Sequence, residues 1–187
     1  MAEERSRFKD CFDSCLTDGD GNVAKGITKK LAALIWDTEH FDSETVTKDR
    51  LLHDITDGYV AVNAVGPYID VNPILLNISM AKRYNNGNVD WPVDQFVRYC
   101  ESIIATDKID TMKFIAMQLT TLSQINAEYT NCGSVDDEKK YVALGDAYVA
   151  MMVARRLFDI DEDELEAEEA NIFAKITHRL EVSGENA

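Results

Sequence analysis

The phrase Asp57-Gly58-Tyr59-Val60-Ala61 returns 89 positions later as Asp146-Ala147-Tyr148-Val149-Ala150, with four of the five residues identical. Each copy lies inside an apolar run of helical length, and the interval is close to half of the 187-residue chain. A period of that size constrains the fold strongly: it predicts two modules of about ninety residues with the same order of elements. Only three prolines occur, and long segments are free of breakers, so those elements are expected to be helices.

The apolar residues bear this out along the chain. Phe8, Cys11, Phe12, Cys15 and Leu16 have the spacing of a buried helical stripe. A second helix is predicted from Val23 to about His40, with Ile27, Leu31, Leu34 and Ile35 inward. Ser43 or Thr47 can cap a third, which carries Leu51, Leu52, Ile55, Tyr59, Val62 and Val65 and is expected to end at Gly66-Pro67. After Asn72-Pro73 a fourth runs from Ile74 to Tyr84, and Asn85-Asn86-Gly87-Asn88 reads as a linker. The pattern then restarts at Trp91-Pro92. Shifted by 88, Phe8 falls on Phe96, Ile27 on Ile115, Leu31 on Leu119, Leu34 on Leu122 and Phe41 on Tyr129. Past the next loop the shift is 89, so one residue is inserted where insertions are tolerated. The second copy closes with Phe158-Asp159-Ile160-Asp161, an acidic run to Glu169 that reads as a solvated face, and a last helix from Asn171 to Leu180.

Composition narrows the partners. A net charge of −15 and a pI near 4.5 argue against nucleic-acid or anionic-membrane binding, which need clustered Lys and Arg to neutralise phosphates. No apolar run reaches the roughly 20 residues that span a bilayer, and the start MAEERSRFKD is charged, so a cytoplasmic protein is expected. Cys11, Cys15, Cys100 and Cys132 form no CxxC pair, which leaves neither a zinc site nor a disulfide framework. Asp18 to Asn22 resembles a calcium loop, but Val23 replaces the turn glycine and Lys29 the bidentate Glu.

The chemistry rests on acids. Asp54 and Asp57 share one face of the third helix, and Asp37, Glu39 and His40 stand near the end of the second. Carboxylates on two neighbouring helices can aim at one point and hold Mg2+, and the metal in turn holds a triphosphate. The basic pair Lys82 and Arg83 sits at a helix C-terminus, where cations also suit the helix dipole.

Here the residues carry a resemblance. Leu31 to Phe41, Asp54-Ile55-Thr56-Asp57, Tyr68-Ile69-Asp70-Val71-Asn72-Pro73-Ile74 and Ser79-Met80-Ala81-Lys82 resemble the all-α NTP pyrophosphatase superfamily, the MazG-like and dimeric dUTPase-like proteins. Leu119 to Tyr129, Ala143-Leu144-Gly145-Asp146 and Asp159-Ile160-Asp161 resemble it again in the second copy. The resemblance implies an all-α fold of two MazG-like four-helix units, residues 1–88 and 89–187, in one compact pseudo-twofold bundle. It also implies a metal-dependent hydrolase that splits a nucleoside triphosphate and releases pyrophosphate, using E-x-x-E on one helix and E-x-x-D on the next. The second motif falls on Asp54 and Asp57, with Asp for Glu; the first falls on Asp37-x-x-His40, which departs from it.

The implied catalytic set is Asp37, Asp54 and Asp57, and the implied ligands of Mg2+ or Mn2+ are these with Glu39 and His40. Lys82 and Arg83 would neutralise phosphate, and Trp36 or Tyr59 would flank the base. The second copy keeps only Glu128 and Asp146, with apolar Ile125 and Ala143 at the other two positions, and is expected to be a degenerate site. Two readings stay open: a pyrophosphohydrolase with one working half, or a catalytically inactive relative that binds a nucleotide or a protein partner as an acidic decoy or as a homo-oligomer.

Overall fold

The computed structural model describes residues 22–40, 46–104 and 108–184. The helix expected over residues 8–16, the calcium-like loop before Asn22, Phe41 and the alternative cap Ser43 lie outside them. The described residues form seven α-helices and no strand: α1 (Val23–Glu39), α2 (Lys48–Tyr68), α3 (Pro73–Tyr84), α4 (Val93–Ile104), α5 (Lys108–Cys132), α6 (Asp137–Leu157) and α7 (Glu162–Gly184). No helix among them is long and apolar enough to cross a membrane.

Short polar side chains start these helices. Asn22 accepts from the amide of Lys25, Thr47 from Arg50, Asn72 from Ile74 and Leu75, and Asp136 from Lys139, each occupying donors that a first turn leaves free. Asp161 accepts from the Glu164 amide at 2.8 Å while Glu164 accepts from the Asp161 amide at 3.2 Å, a reciprocal capping box. The acidic run is a largely exposed face, as expected, and it is helical. It forms the first turns of α7, which begins nine residues before the expected Asn171.

A second correction concerns Gly66-Pro67. The helix continues through Pro67 to Tyr68, because a proline in the last turn removes a single ladder bond while Val65 and Ile69 are fully buried around it. The stop comes at Asp70, whose φ of 57° turns the chain left-handed, with Val71 N–H donating back to Gly66 at 2.8 Å. Asp159, 89 positions on, has φ 53° and the same closure, from Ile160 N–H to Arg155 at 3.0 Å. The bounds of α2 and α6 differ by the same 89, as do their caps Thr47 and Asp136.

One core joins both halves of the chain. α1 packs on α2 and α5; α6 packs on α5, α2, α3 and α4; and α7 lies against α2. Ile27, Leu31 and Leu34 of α1, Leu51 and Ile55 of α2, Ile115, Leu119 and Leu122 of α5, and Leu144 and Met151 of α6 belong to one buried cluster. Between α1 and α5 the buried Asn126 amide donates to Ala24 O at 3.0 Å and Thr28 Oγ1 at 3.2 Å, so the crossing has a polar pin inside apolar packing.

Candidate functional site

The inward stripe of α1 does not end in an apolar residue. One turn beyond Leu34 it presents Asp37, whose exposure is 0%, with Thr38 beside it donating its hydroxyl to Ile35 O at 2.8 Å. α2 crosses there, and its own inward face supplies Asp54, also buried, and Asp57 one turn later. Asp37 and Asp54 thus meet between α1 and α2, while Asp57 lies one turn further along α2.

Their electrostatics follow from that burial. Asp54 is pushed up from 3.8 to about 7, first by desolvation and then by the Asp37 carboxylate within hydrogen-bonding reach of it. Two carboxylates bond each other only when one holds a proton, so at full ionisation neither Asp37 oxygen has a hydrogen-bond donor. The nearest positive charge is Arg50, whose Nη2 lies 2.8 Å from Asp37 Oδ1 without hydrogen-bonding alignment and whose Nε lies 3.7 Å from Asp54 Oδ2. Arg50 also stacks on Trp36, 4.6 Å from the ring centroid, and the other partner of Trp36 is His40, with ring centroids 4.2 Å apart. Asp57 is held at 2.6 Å by Lys30 of α1; its Oδ1 is buried without a partner.

A fourth carboxylate arrives from the far half of the chain. Glu168 of α7 lies 2.8 Å from His53 Nδ1, and the opposite ring nitrogen of His53 lies 3.9 Å from Asp57. Those contacts hold Glu168 below the usual carboxylate range, against the desolvation that would raise it. Lys48 and Glu164, 2.8 Å apart, fasten the same two helices one turn earlier.

Comparison of the chain with protein-family models, curated proteins and solved structures finds no match. The site is therefore read from its own geometry.

Several expected members stand elsewhere. Glu39 is exposed and turns towards α5, where it lines a cleft of about 570 Å³ with Thr38, Ile109, Met112, Met117 and Gln124. His40 is engaged with Trp36, through its ring and through Nδ1 at 2.8 Å from Trp36 O. Tyr59 does not flank the carboxylates: its hydroxyl is buried towards Cys100 and Arg155, and burial pushes it up to about 12. Lys82 is exposed on α3, while Arg83 clamps Asp146 at 2.8 and 2.9 Å, joined by a short hydrogen bond from the Tyr84 hydroxyl. In that half Ile125 and Ala143 are buried apolar residues and Glu128 is exposed, so the neighbours of Asp146 are the Arg83 guanidinium and the Tyr84 hydroxyl.

The sequence reading missed Arg50, Lys30, His53 and Glu168. Arg50 had a local signal, standing four residues before Asp54 on one helix face. Glu168 had none, because only the packing of α7 on α2 brings it in. As the side chains stand, no group of three or more His, Cys, Asp or Glu among the described residues is disposed to hold a metal. Unpartnered buried oxygens remain on Asp37 and at Asp57 Oδ1, and each of these carboxylates already has a cation beside it, Arg50 and Lys30.

Proposed function

We propose that this protein is a metal-dependent nucleoside triphosphate pyrophosphohydrolase, a tandem MazG-like bundle with an approximate internal twofold and one working half. The observation that carries the reading is the buried Asp37–Asp54 pair. Two like charges brought together in low dielectric repel, and a fold keeps such a pair where a proton or cation is to be held. The tandem arrangement is supported by the turns, caps and helix bounds that recur at 89 residues.

Asp37 and Asp54 would hold Mg2+ or Mn2+, and Asp57 would join them by leaving Lys30. Such a cation would supply positive charge to a phosphate and acidify a water. Trp36, exposed beside the pair, would meet a base only in place of Arg50 or His40, which stack on its ring. Asp146 would contribute no second site, because Arg83 neutralises it and apolar Ile125 and Ala143 stand at two of the motif positions.

One observation favours a second reading, a non-catalytic nucleotide- or protein-binding relative. Arg50 and Lys30 already neutralise the acids internally, as Arg83 does in the other half. An assay of pyrophosphate release from a panel of NTPs and dNTPs with Mg2+ or Mn2+ separates the two. Release is expected, with a loss of at least about a hundredfold in Asp54→Asn and Asp57→Asn. No release and no metal-dependent nucleotide binding would overturn the enzyme; unchanged activity in both variants would overturn only the site.

A further inference from the structure

We propose that the groove between α3 and the start of α4 is the contact face of a symmetric homodimer, in which the same apolar surface of a second copy closes over it. Ile74, Leu75, Val89 and Val93 are four of the seven large apolar side chains exposed among the described residues. Val89 and Val93 line, with Trp91, one side of a groove of about 240 Å³ whose other side is Met80 and Ala81 of α3. Ile74 stands seven residues before Ala81 on the same face of α3, so the apolar surface continues past the end of the groove. Apart from Ala81, no residue of α3 is buried. Trp91 is fixed by the rings of Tyr84, Phe96 and Tyr99, with centroids 6.2, 5.0 and 6.0 Å away, so one wall is set before any partner arrives.

The charge around this face selects the partner. The chain carries −15, yet residues 71–93 hold only three charged side chains, Lys82, Arg83 and Asp90. Arg83 is neutralised by Asp146. Lys82, next to Ala81 on one rim, and Asp90, between Val89 and Trp91 on the other, are exposed and form no ion pair or side-chain hydrogen bond among the described residues. A twofold axis running along the groove sets the α3 rim of each copy against the opposite rim of the other, and so pairs Lys82 with Asp90 of the second copy twice. The face is thus complementary to itself. A strongly acidic partner would meet one free cation and a strongly basic one a single free anion, while the carboxylate-rich remainder of two such chains repels.

The test is the mass of the full chain by sedimentation between about 1 and 100 µM, the range of a modest interface. The 21.0 kDa chain is expected to reach twice its mass at the upper end. Ile74→Asp and Val93→Asp alter side chains that are 70% and 76% exposed, so the chain folds without them. Each is expected to weaken the dimer by about tenfold or more. Lys82→Glu and Asp90→Lys are each expected to weaken it by about threefold or more, and the two together to return it to within about twofold of wild type. Benzoylphenylalanine at position 93, in a mixture of isotopically light and heavy chains, identifies the occupant: cross-links from light to heavy chain within residues 71–96 support the dimer. A cross-link within one chain to residues before Asn22 shows the chain's own N-terminal segment in the groove and overturns the proposal. A monomer throughout, a dimer indifferent to Ile74→Asp and Val93→Asp, or a charge-swapped double variant that does not recover overturns it as well.

Discussion

Asp54 is the residue on which the site's electrostatics turn. Its folded-state pKa of about 7 exceeds the ordinary 3.8, so the native chain holds a proton there that the unfolded chain has released. The sign follows: the stability associated with that proton is fully present below about pH 4 and is lost progressively as the pH rises to about 7. Urea denaturation in the presence of a chelator at about pH 5 and about pH 8 checks it. Wild type is expected to lose stability across that interval relative to Asp54→Asn, and the variant to be the more stable of the two only at the higher pH. Equal pH dependence in both chains would mean that Asp37 and Asp54 do not share a proton. Arg50 does not remove this effect, because its guanidinium lies 3.7 Å from Asp54 and faces solvent.

At the scale of the helices, the single difference within the repeated phrase has a packing cause. A Cβ built at Gly58 would lie 2.7 Å from Leu34 Cδ2 and 2.9 Å from Met151 Cε, because α1 and α6 both close on α2 there. Ala147 fills the corresponding position in α6 and is fully buried. Gly58→Val should cost about 1–3 kcal/mol by overpacking, read as a fall in the urea midpoint at unchanged slope. Gly58→Ala should cost less, since Leu34 and Met151 meet it with flexible chain ends and alanine recovers about 1 kcal/mol of helix propensity. The same scale explains the two boundary corrections. Gly66-Pro67 looked like a stop because the local rules for proline oppose helix, yet the left-handed Asp70 four residues after Gly66 terminates it. The last helix was expected to begin only at Asn171 because the acidic run was read by its charge, without its capping box.

For the molecule as a whole, the boundary near residue 88 divides the sequence and not the core. α1 packs on α5 and α2 on α6, so each half buries its apolar faces against the other. Residues 89–187 expressed alone are expected to lack a cooperative thermal transition, because α5 and α6 would expose Ile115, Leu119, Leu122 and Met151 to water. Circular dichroism melting of the fragment against the full chain checks this, and a sharp native-like transition would show that the second half folds by itself. The charge pattern has a whole-molecule consequence too: Glu164 and Glu168 of α7 reach Lys48 and His53 of α2, tying the end of the chain to the first half's carboxylates.

What the sequence determined was whatever depends on near neighbours. Helical periodicity, the cap Thr47 and the linker after Tyr84 rest on interactions within a few residues, and the described helices follow them. It also drew attention to Asp54 and Asp57, which share a helix face three residues apart, and to Asp37 near the end of the preceding helix. Only the tertiary structure decided which charges meet them. Lys30 reaches Asp57 across one helix crossing and Glu168 reaches His53 from 115 residues away, while Glu39 and Arg83 turn to other surfaces. The physical reason is that a helix sets which side chains share a face, whereas the partner of a buried carboxylate is set by the helix packed opposite, and sequence spacing does not encode that choice.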